Sequence, residues 1–374
     1  MELAALLALT LLGVAASVFA DSGDDDDGSD TGGAGDDGTD TGDGTDTGDG
    51  TDTGDGGTGD GGTGGADDGI VTSDGVTFGS ESGDTLSATD GADTVVGAGG
   101  DDAISGSAAD NILDGQEGDD TVLGGDGSDQ VFGSAGNDQL NGNSGDDLVA
   151  GGTGDDELFG GLGNDTMFGD EGNDVISGQE GDDQLVGGFG DDTMFGESGN
   201  DTIFGNDGDD SIMDGEGDDS LVGGAGADTL DGGAGNDQIF GIWDGNDDDV
   251  IEAQDLPDPD VLLGGDGNDD IQMGSGDVAY GEGGSDIFFT GTWVDAANAP
   301  QIVDLEEDEV VIVSVPVGTS ADTEITLGTD ADSGDTLVQA NGQTVATVAA
   351  GAGTVSLEQI LVVESINIAQ ASAA

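Results

Sequence analysis

Aliphatic residues recur at every ninth position over nearly half of the chain, from Leu86 through Met167 to Ile239. Period-two alternation sends each aliphatic side chain inward and its two neighbours outward, which predicts one three-residue strand per unit. The six residues between strands are rich in glycine and aspartate and are predicted to form the turn. Eighteen such units run from Gly79 to Phe240 without an insertion. A fixed period this short predicts a solenoid of stacked turns.

The complete unit is G-x-x-G-x-D-x-(aliphatic)-x, and its sixth position is Asp from Asp84 to Asp237, apart from Asn111. Because two units close one coil, the eighteen units predict nine coils of a flattened roll. The roll has two parallel sheets, and adjacent coils lie ~4.8 Å apart. The predicted fold class is therefore all-β, a parallel β-roll of the β-solenoid type.

The composition changes along the chain and divides it into segments. Asn341-Gly342 lies between two β-branched stretches and predicts a hairpin in the last of them. The predicted segments are a signal peptide or membrane anchor at 1–20, a disordered acidic Gly/Asp/Thr spacer at 21–69, the roll at 70–289 with an irregular insertion at 241–263, and a β-rich C-terminal cap at 290–374.

The apolar run from Leu3 to Ala20 has two interpretations. Val18-Phe19-Ala20 is a small-residue cleavage site of the kind that follows a secretory signal, although Glu2 stands where a positive charge is usual. As a membrane anchor, this run lies at the short end of a spanning helix. Both interpretations place the repeats outside the cytoplasm, and membrane anchoring is expected only through residues 3–20.

The charge balance excludes several function classes. The chain has 86 acidic residues, no Lys, Arg or His, and a net charge of −86, which excludes ordinary binding to nucleic acids and anionic membranes. Without His or Cys there is no catalytic triad and no zinc protease site, and no G-x-S-x-G motif is present. Paired carboxylates occur in glycosidases, but nothing singles out one pair here. The chain is therefore predicted not to be an enzyme.

Stacking the units predicts rows of aspartates that need a cation. Position-six carboxylates of adjacent coils lie ~4.8 Å apart, so they repel each other, and no cationic side chain is available. One inward aliphatic residue per nine is a small core to set against the entropy of ordering the backbone. Calcium fits best, because it accepts six to eight oxygen ligands from carboxylates and carbonyls together. Zinc and copper prefer His or Cys, and magnesium demands strict octahedra.

Residues 160–168 (GGLGNDTMF), 196–204 (GESGNDTIF) and 232–240 (GGAGNDQIF) resemble the repeats of the RTX, or hemolysin-type, calcium-binding proteins. The resemblance implies a β-roll that holds several calcium ions between successive turns. The carboxylate ligands it implies are Asp84, Asp93, Asp102, Asp120, Asp129, Asp138, Asp147, Asp156, Asp165, Asp174, Asp183, Asp192, Asp201, Asp210, Asp219, Asp228, Asp237, Asp269 and Asp286. The carbonyl ligands it implies are the position-four glycines Gly100, Gly118, Gly127, Gly136, Gly145, Gly154, Gly163, Gly172, Gly181, Gly190, Gly199, Gly208, Gly217, Gly226 and Gly235. The chain departs from the repeat at Ser82, Ala88, Ala109, Asn111 and Asp214.

The tail extends the resemblance. Residues 285–289, 302–305 and 308–312 are similar to the strand cap that closes these rolls, and residues 357–374 are a possible secretion signal. The favoured function is a secreted or surface-displayed calcium-binding scaffold that folds on binding calcium outside the cell. The alternative is a calcium-dependent adhesin or partner-binding roll, to which a row of position-nine phenylalanines would contribute; its surface partner is unknown. Less favoured is an accessory module of an exported hydrolase.

Overall fold

The computed structural model describes residues 70–73, 75–89, 91–241, 259–316, 318–352 and 354–364. The predictions for residues 1–20 and 21–69, most of the insertion, and the end of the possible secretion signal lie outside these ranges. No helix within the described ranges is long and apolar enough to cross a membrane.

The described residues form thirty strands, and their one helical element is a 3-10 turn at Ser320–Asp322. In chain order the strands are β1 Val71–Ser73, β2 Val76–Phe78, β3 Thr85–Ser87, β4 Thr94–Gly99, β5 Ala103–Ser105, β6 Ile112–Glu117, β7 Thr121–Asp126, β8 Gln130–Ala135, β9 Gln139–Ser144, β10 Leu148–Thr153, β11 Glu157–Leu162, β12 Thr166–Glu171, β13 Val175–Glu180, β14 Gln184–Phe189, β15 Thr193–Ser198, β16 Thr202–Asp207, β17 Ser211–Glu216, β18 Ser220–Ala225, β19 Thr229–Ala234, β20 Gln238–Gly241, β21 Val261–Gly267, β22 Asp270–Met273, β23 Val278–Gly284, β24 Ile287–Gly291, β25 Gln301–Ile302, β26 Val310–Val315, β27 Ile325–Thr329, β28 Thr336–Ala340, β29 Gln343–Val348 and β30 Ile360–Glu364.

Successive strands alternate between two sheets, as the repeat predicts. One fifteen-stranded sheet has the order β1-β2-β4 and then the even-numbered strands to β26, followed by β30. The other has the order β27-β28-β29-β25 and then the odd-numbered strands down to β3. Within the array each strand pairs in parallel with the strand one coil away, as Val149 pairs with Met167. The fold is thus an all-β parallel β-roll, which confirms the predicted fold class.

The strands of the roll are longer than the three residues predicted. β12 covers positions seven to nine of one unit and positions one to three of the next, with a ladder that reaches the Thr153–Glu171 pair. The three-residue prediction was wrong because the inward-facing residue of the second half is a glycine. Gly169 is buried in β12 but carries no side chain, so it leaves no hydrophobic signal in the sequence.

The core is a single file of position-eight side chains between the two sheets. Val149, Met167 and Leu185 are each 0 % exposed, and the same holds for most of the array. Since each coil adds only two such side chains, apolar burial per residue is low. The file continues through Phe288 into the buried Val311 of the C-terminal strands.

The roll keeps its register across the insertion. β20 ends at Gly241, and β21 pairs with β19 through Thr229 and Val261 as any neighbouring coil would. The Asp228 N–H donates a hydrogen bond to Asp260 over a separation of 32 residues, where the regular separation is 18. The ladder and the hydrogen-bonded row therefore have the same register on both sides of the insertion.

The C-terminal strands cap both sheets, as predicted. β26 and β30 extend one sheet in parallel beyond β24, and β25 and β29 extend the other beyond β23. The antiparallel strands β27 and β28 complete the second sheet. Asn341 and Gly342 join β28 to β29 with φ of 54° and 83°, which confirms the predicted hairpin.

Candidate metal centre

Position-six side chains form two rows, one along each edge of the roll. Along most of each row the backbone N–H of one residue donates to the Oδ1 of its counterpart one coil later. The Asp147 N–H donates to Asp165 Oδ1 at 2.8 Å, and the Asp165 N–H donates to Asp183 Oδ1 at 2.7 Å. Each carboxylate therefore bridges two adjacent coils.

The predicted carboxylate residues all lie in these rows. The first row contains Asp84, Asp102, Asp120, Asp138, Asp156, Asp174, Asp192, Asp210, Asp228, Asp260 and Asp277. The second contains Asp93, Asn111, Asp129, Asp147, Asp165, Asp183, Asp201, Asp219, Asp237, Asp269 and Asp286.

The second carboxylate oxygen, Oδ2, is buried without a hydrogen-bond partner along most of both rows. Asp165 itself is only 2 % exposed. Buried carboxylate oxygens without a donor are costly, so a run of them calls for a cation. The oxygens are Oδ2 of Asp102, Asp120, Asp129, Asp138, Asp147, Asp156, Asp165, Asp174, Asp183, Asp192, Asp201, Asp210, Asp219, Asp237, Asp269 and Asp286.

Glycine at position one makes room for these oxygens. A Cβ on Gly160 would overlap Asp165 Oδ2 and would lie 2.8 Å from the carbonyl oxygen of Gly178 in the next coil. The carboxylate oxygen and that carbonyl therefore face the same space. No residue with a side chain fits there without displacing one of them, which explains this glycine sterically.

Glycine at position four, where carbonyl ligands were predicted, lies at the turn. Gly172 has φ +152°, and a Cβ on it would overlap the carbonyl oxygen of Gly154 one coil earlier. The same Cβ would lie 3.1 Å from Asp174 Oδ1. The position-four carbonyl thus points along the stack, toward the turn that carries the next carboxylate.

Asn111 shows what the rows require. Its Oδ1 accepts hydrogen bonds from the Ser107 N–H at 2.8 Å and the Ser107 hydroxyl at 3.0 Å. Its Nδ2 donates to the carbonyl oxygen of Gly91, a position-four residue one coil earlier, at 3.0 Å. The side-chain amide therefore supplies a donor to a turn carbonyl. An ionised aspartate has only acceptors and cannot supply that N–H group, so a cation bound at this point would take its place.

The first coils are also satisfied by the protein itself. Asp84 Oδ2 accepts from the Ser80 N–H at 2.7 Å and the Ser80 hydroxyl at 2.9 Å. Asp93 Oδ2 accepts from the N–H and the hydroxyl of Thr89. The hydrogen bonds from Thr89 lower the pKa of Asp93. Their need for a cation is therefore smaller than in the later coils.

Burial raises the pKa of the carboxylates within the array. Desolvation raises the pKa of Asp165 to about 7, opposed by the hydrogen bond from Asp147 and reinforced by the charges of Asp183 and Asp147. The pKa of Asp156 also rises to about 7, and that of Asp138 to about 6, with burial again the main cause. The charged form is disfavoured here because solvent is excluded and like charges are close.

A second ladder, at position five, was missed by the sequence reasoning. The Asn164 N–H donates to Asp146 Oδ1 at 2.9 Å, and the Asp182 N–H donates to Asn164 Oδ1 at 3.1 Å. These bonds run toward the earlier coil, opposite to those of position six. The signal was present, since position five is Asp or Asn from Asp101 to Asn236 apart from Ser128 and Ala227.

The rows continue past the array through residues that the sequence did not reveal. Asp260 and Asp277 follow Asp228 in the first row and are 2 % and 1 % exposed. At the end of the second row, Glu309 is 1 % exposed, its Oε1 has no hydrogen-bond partner, and a Cβ on Gly281 would meet both it and Asp286 Oδ2. Irregular spacing after residue 240 hides these three residues from a nine-residue pattern.

Asp214, known from the sequence only as a departure from the repeat, joins the second row. One oxygen each from Asp201, Asp214 and Asp219 lies within 4.8 Å of the others. Burial and the charges of Asp219 and Asp201 raise the pKa of Asp214 to about 9. Within the described part of the chain, three acidic side chains approach this closely only here.

Comparison with known proteins identifies the repeats. The family described as RTX calcium-binding nonapeptide repeat (4 copies) matches residues 78–113, 105–140, 141–176, 168–203, 177–212 and 204–239. No curated protein sequence matches the chain.

Among solved structures, the extracellular lipase LipA from Serratia marcescens is similar at 15 % identity. The alignment covers 71 % of this chain and 40 % of the lipase chain, with a TM-score of 0.18. The chain therefore spans less than half of the lipase, and a similarity this low carries no weight for fold or activity. The family match coincides with the roll and its aspartate rows, and residues 78–239 of the chain are RTX calcium-binding nonapeptide repeats.

Proposed function

We propose that this chain is an exported calcium-binding scaffold whose roll folds when calcium binds outside the cell. The observation that carries the proposal is the rows of buried Oδ2 atoms without a donor, in a chain with no Lys, Arg or His. These oxygens lie beside backbone carbonyls, and carboxylate with carbonyl oxygen is the ligand set that calcium prefers.

The ligands in this proposal are the position-six aspartates and the position-four glycine carbonyls. The bond from Asn111 Nδ2 to the Gly91 carbonyl supports this pairing, because it shows both groups reaching one point. Glu309 joins the set as the last carboxylate of the second row. Several ions are expected per chain, since the arrangement repeats in every coil of the array.

Equilibrium dialysis of the full chain tests this proposal. Calcium is expected to bind at many sites per chain, and magnesium at equal concentration is expected to displace little of it. Binding of one or two ions only, or complete displacement by magnesium, would show that the rows are not calcium sites.

Export and the absence of catalysis are parts of the same proposal. A roll that needs calcium is suited to the calcium-rich space outside a cell, and both interpretations of residues 1–20 agree with that location. Fractionation of producing cells should find the chain in the medium or at the surface; a cytoplasmic chain would contradict this.

The purified chain is expected to hydrolyse neither peptides, esters nor polysaccharides, and calcium-dependent turnover that survives repurification would overturn this expectation.

A second candidate, an adhesin, is favoured by one surface of the roll. In the sheet of even-numbered strands, the position-nine side chains face outward. Phe168 pairs with Ala150 and Val186 on the neighbouring strands, and Phe204 pairs with Val186 and Val222. These side chains are partly exposed and form an uncharged stripe on a very acidic protein. If the stripe binds a surface partner, Phe168→Thr with Phe204→Thr should abolish adhesion to producing cells and leave the calcium titration unchanged. Equal adhesion of the wild type and the double variant would contradict the adhesin function.

A further inference from the structure

Asp214 replaces a glycine whose small size the rest of the row depends on. Position one is glycine in every unit from Gly79 to Gly232 except at Ala88 and Asp214. Since position one faces the Oδ2 of a position-six aspartate, any side chain placed there enters the row. At Asp214 that side chain is itself a carboxyl group, so the row gains a third acidic group beside Asp201 and Asp219.

The geometry directs this carboxylate at its neighbours. A Cβ on Gly196 would overlap both Asp214 Oδ1 and Asp201 Oδ2, so the two oxygens surround the same point. Asp219 lies one coil further along, and its backbone N–H is used for the bond to Asp237. The three side chains therefore converge between two coils, with ligand oxygens within 4.8 Å of one another.

None of the converging oxygens has a partner in the protein. Asp214 is 3 % exposed, and neither its Oδ1 nor its Oδ2 has a hydrogen bond. The Oδ2 atoms of Asp201 and Asp219 are unpartnered as well, and both residues are 2 % exposed. Four buried acceptor atoms thus lie together without a donor, where a regular step of the row has two.

We propose that Asp201, Asp214 and Asp219 form a three-carboxylate cation site that binds calcium more tightly than the regular sites of the roll. This rests on the proposed calcium-dependent function and adds one distinct site to it. The third carboxylate strengthens the attraction for a cation and increases the repulsion that the cation relieves. Both effects grow with cation charge, so a trivalent lanthanide such as terbium, which also takes oxygen ligands, gains more at this site than elsewhere.

Metal content at stepwise lowered free calcium tests the proposal on the full chain. In chelator-buffered solutions that leave the roll folded, calcium should leave the regular sites before it leaves this one, which should fill at about tenfold lower free calcium than they do. Asp214→Asn removes the charge and keeps the shape, and Asp214→Gly restores the residue found at this position elsewhere. Both variants should lose the last-retained ion and keep the others. Terbium added to the wild type that has lost part of its calcium should fill one site before the others. Neither Asp214 variant should have a site that terbium fills first.

Asp207→Asn is the matched control. Asp207 is exposed at the end of β16, and its substitution removes the same charge outside the row. Its metal content should equal that of the wild type. Equal loss in Asp207→Asn and Asp214→Asn would overturn the proposal in favour of a general charge effect.

A proton is the alternative neutraliser of Asp214. If a proton rather than a metal ion occupies the cluster, the wild type and both Asp214 variants will have the same calcium content at every free concentration, and the proposal fails. The calcium dependence of folding would then still stand. Failure of the wild type to bind calcium at all would contradict the proposed function itself, so the two failures can be told apart.

Discussion

At the scale of single residues, each position-six aspartate divides its two oxygens between two tasks. Asp165 Oδ1 holds the adjacent coil through the Asp147 N–H, and Oδ2 has no partner in the protein. The hydrogen bond to Oδ1 stabilises the fold, and Oδ2 is available to bind a cation. A substitution that separates the two tasks should therefore have a graded effect.

Replacing Asp165 tests this division. Asp165→Ala loses both the hydrogen bond to a charged acceptor, worth about 1.5–3 kcal/mol, and one ligand, so it should need more calcium to fold. Asp165→Asn should lie between the wild type and Asp165→Ala, because Asn111 shows that a side-chain amide can bond both its own turn and the turn one coil earlier. The measurement is the midpoint of a calcium titration followed by circular dichroism.

Glu171→Ala is the control for charge, since Glu171 is exposed in β12. Its calcium midpoint should match that of the wild type. If Glu171→Ala and Asp165→Ala shift the midpoint equally, the position-six carboxylate has no special role.

The raised pKa values predict how the calcium-free roll responds to pH. Asp165 has a pKa of about 7 in the folded roll, against about 3.9 in an unfolded chain, so the folded state binds more protons between these values. The resulting stability is fully present below about pH 4 and is lost as pH rises through about 7. In excess chelator, circular dichroism should therefore show more β structure at pH 5 than at pH 8. More β structure at pH 8 would contradict the burial of these carboxylates.

At the scale of single elements, the half-strand at positions one to three depends on glycine for steric reasons. Gly160→Ala should destabilise the roll and raise the calcium midpoint, because the Cβ would overlap Asp165 Oδ2 and crowd the backbone at Gly178. Gly328→Ala in β27 is the matched control, because the nearest atoms to its Cβ would lie at 3.6 Å, an ordinary contact distance. Equal calcium midpoints for the two variants would show that this space is not needed.

The sequence predicts one half of each strand and misses the other for an identifiable reason. Met167 reveals its strand through a side chain that enters the core, whereas Gly169 enters the same core without one. Asn164 was missed differently, since its partner is a backbone N–H one coil away and no nine-residue motif displays that contact. Periodicity therefore predicts which residues face inward but not which backbone groups they meet.

At the scale of the whole molecule, the roll is a stack in which each coil is held by its neighbours. The break after Gly241 illustrates this, because Val261 resumes the ladder with Thr229 as though no residues had intervened. The repeat predicted the stack and its two sheets. It did not predict Asp260, Asp277 or Glu309, since these extend the rows through spacing that only the folded chain defines.

The acidic rows and the thin core are the reasons for proposing that the roll folds only when calcium binds. Each coil buries two position-eight side chains, and along most of the rows it also buries carboxylate oxygens that have no donor. Apolar burial on this scale does not offset both the ordering of the backbone and the desolvation of those carboxylates. Since the chain has no cationic side chain, we assign the missing stabilisation at neutral pH to an added cation.

Far-ultraviolet circular dichroism of the full chain, first in excess chelator at pH 7.5 and low salt and then through a calcium titration, tests this claim most directly. The expected result is a spectrum without β structure in chelator and a cooperative gain of β structure as calcium is added, with little gain from magnesium at the same concentrations. A β-rich spectrum in chelator that calcium does not change would contradict the account, because the roll would then stand without a cation in its rows.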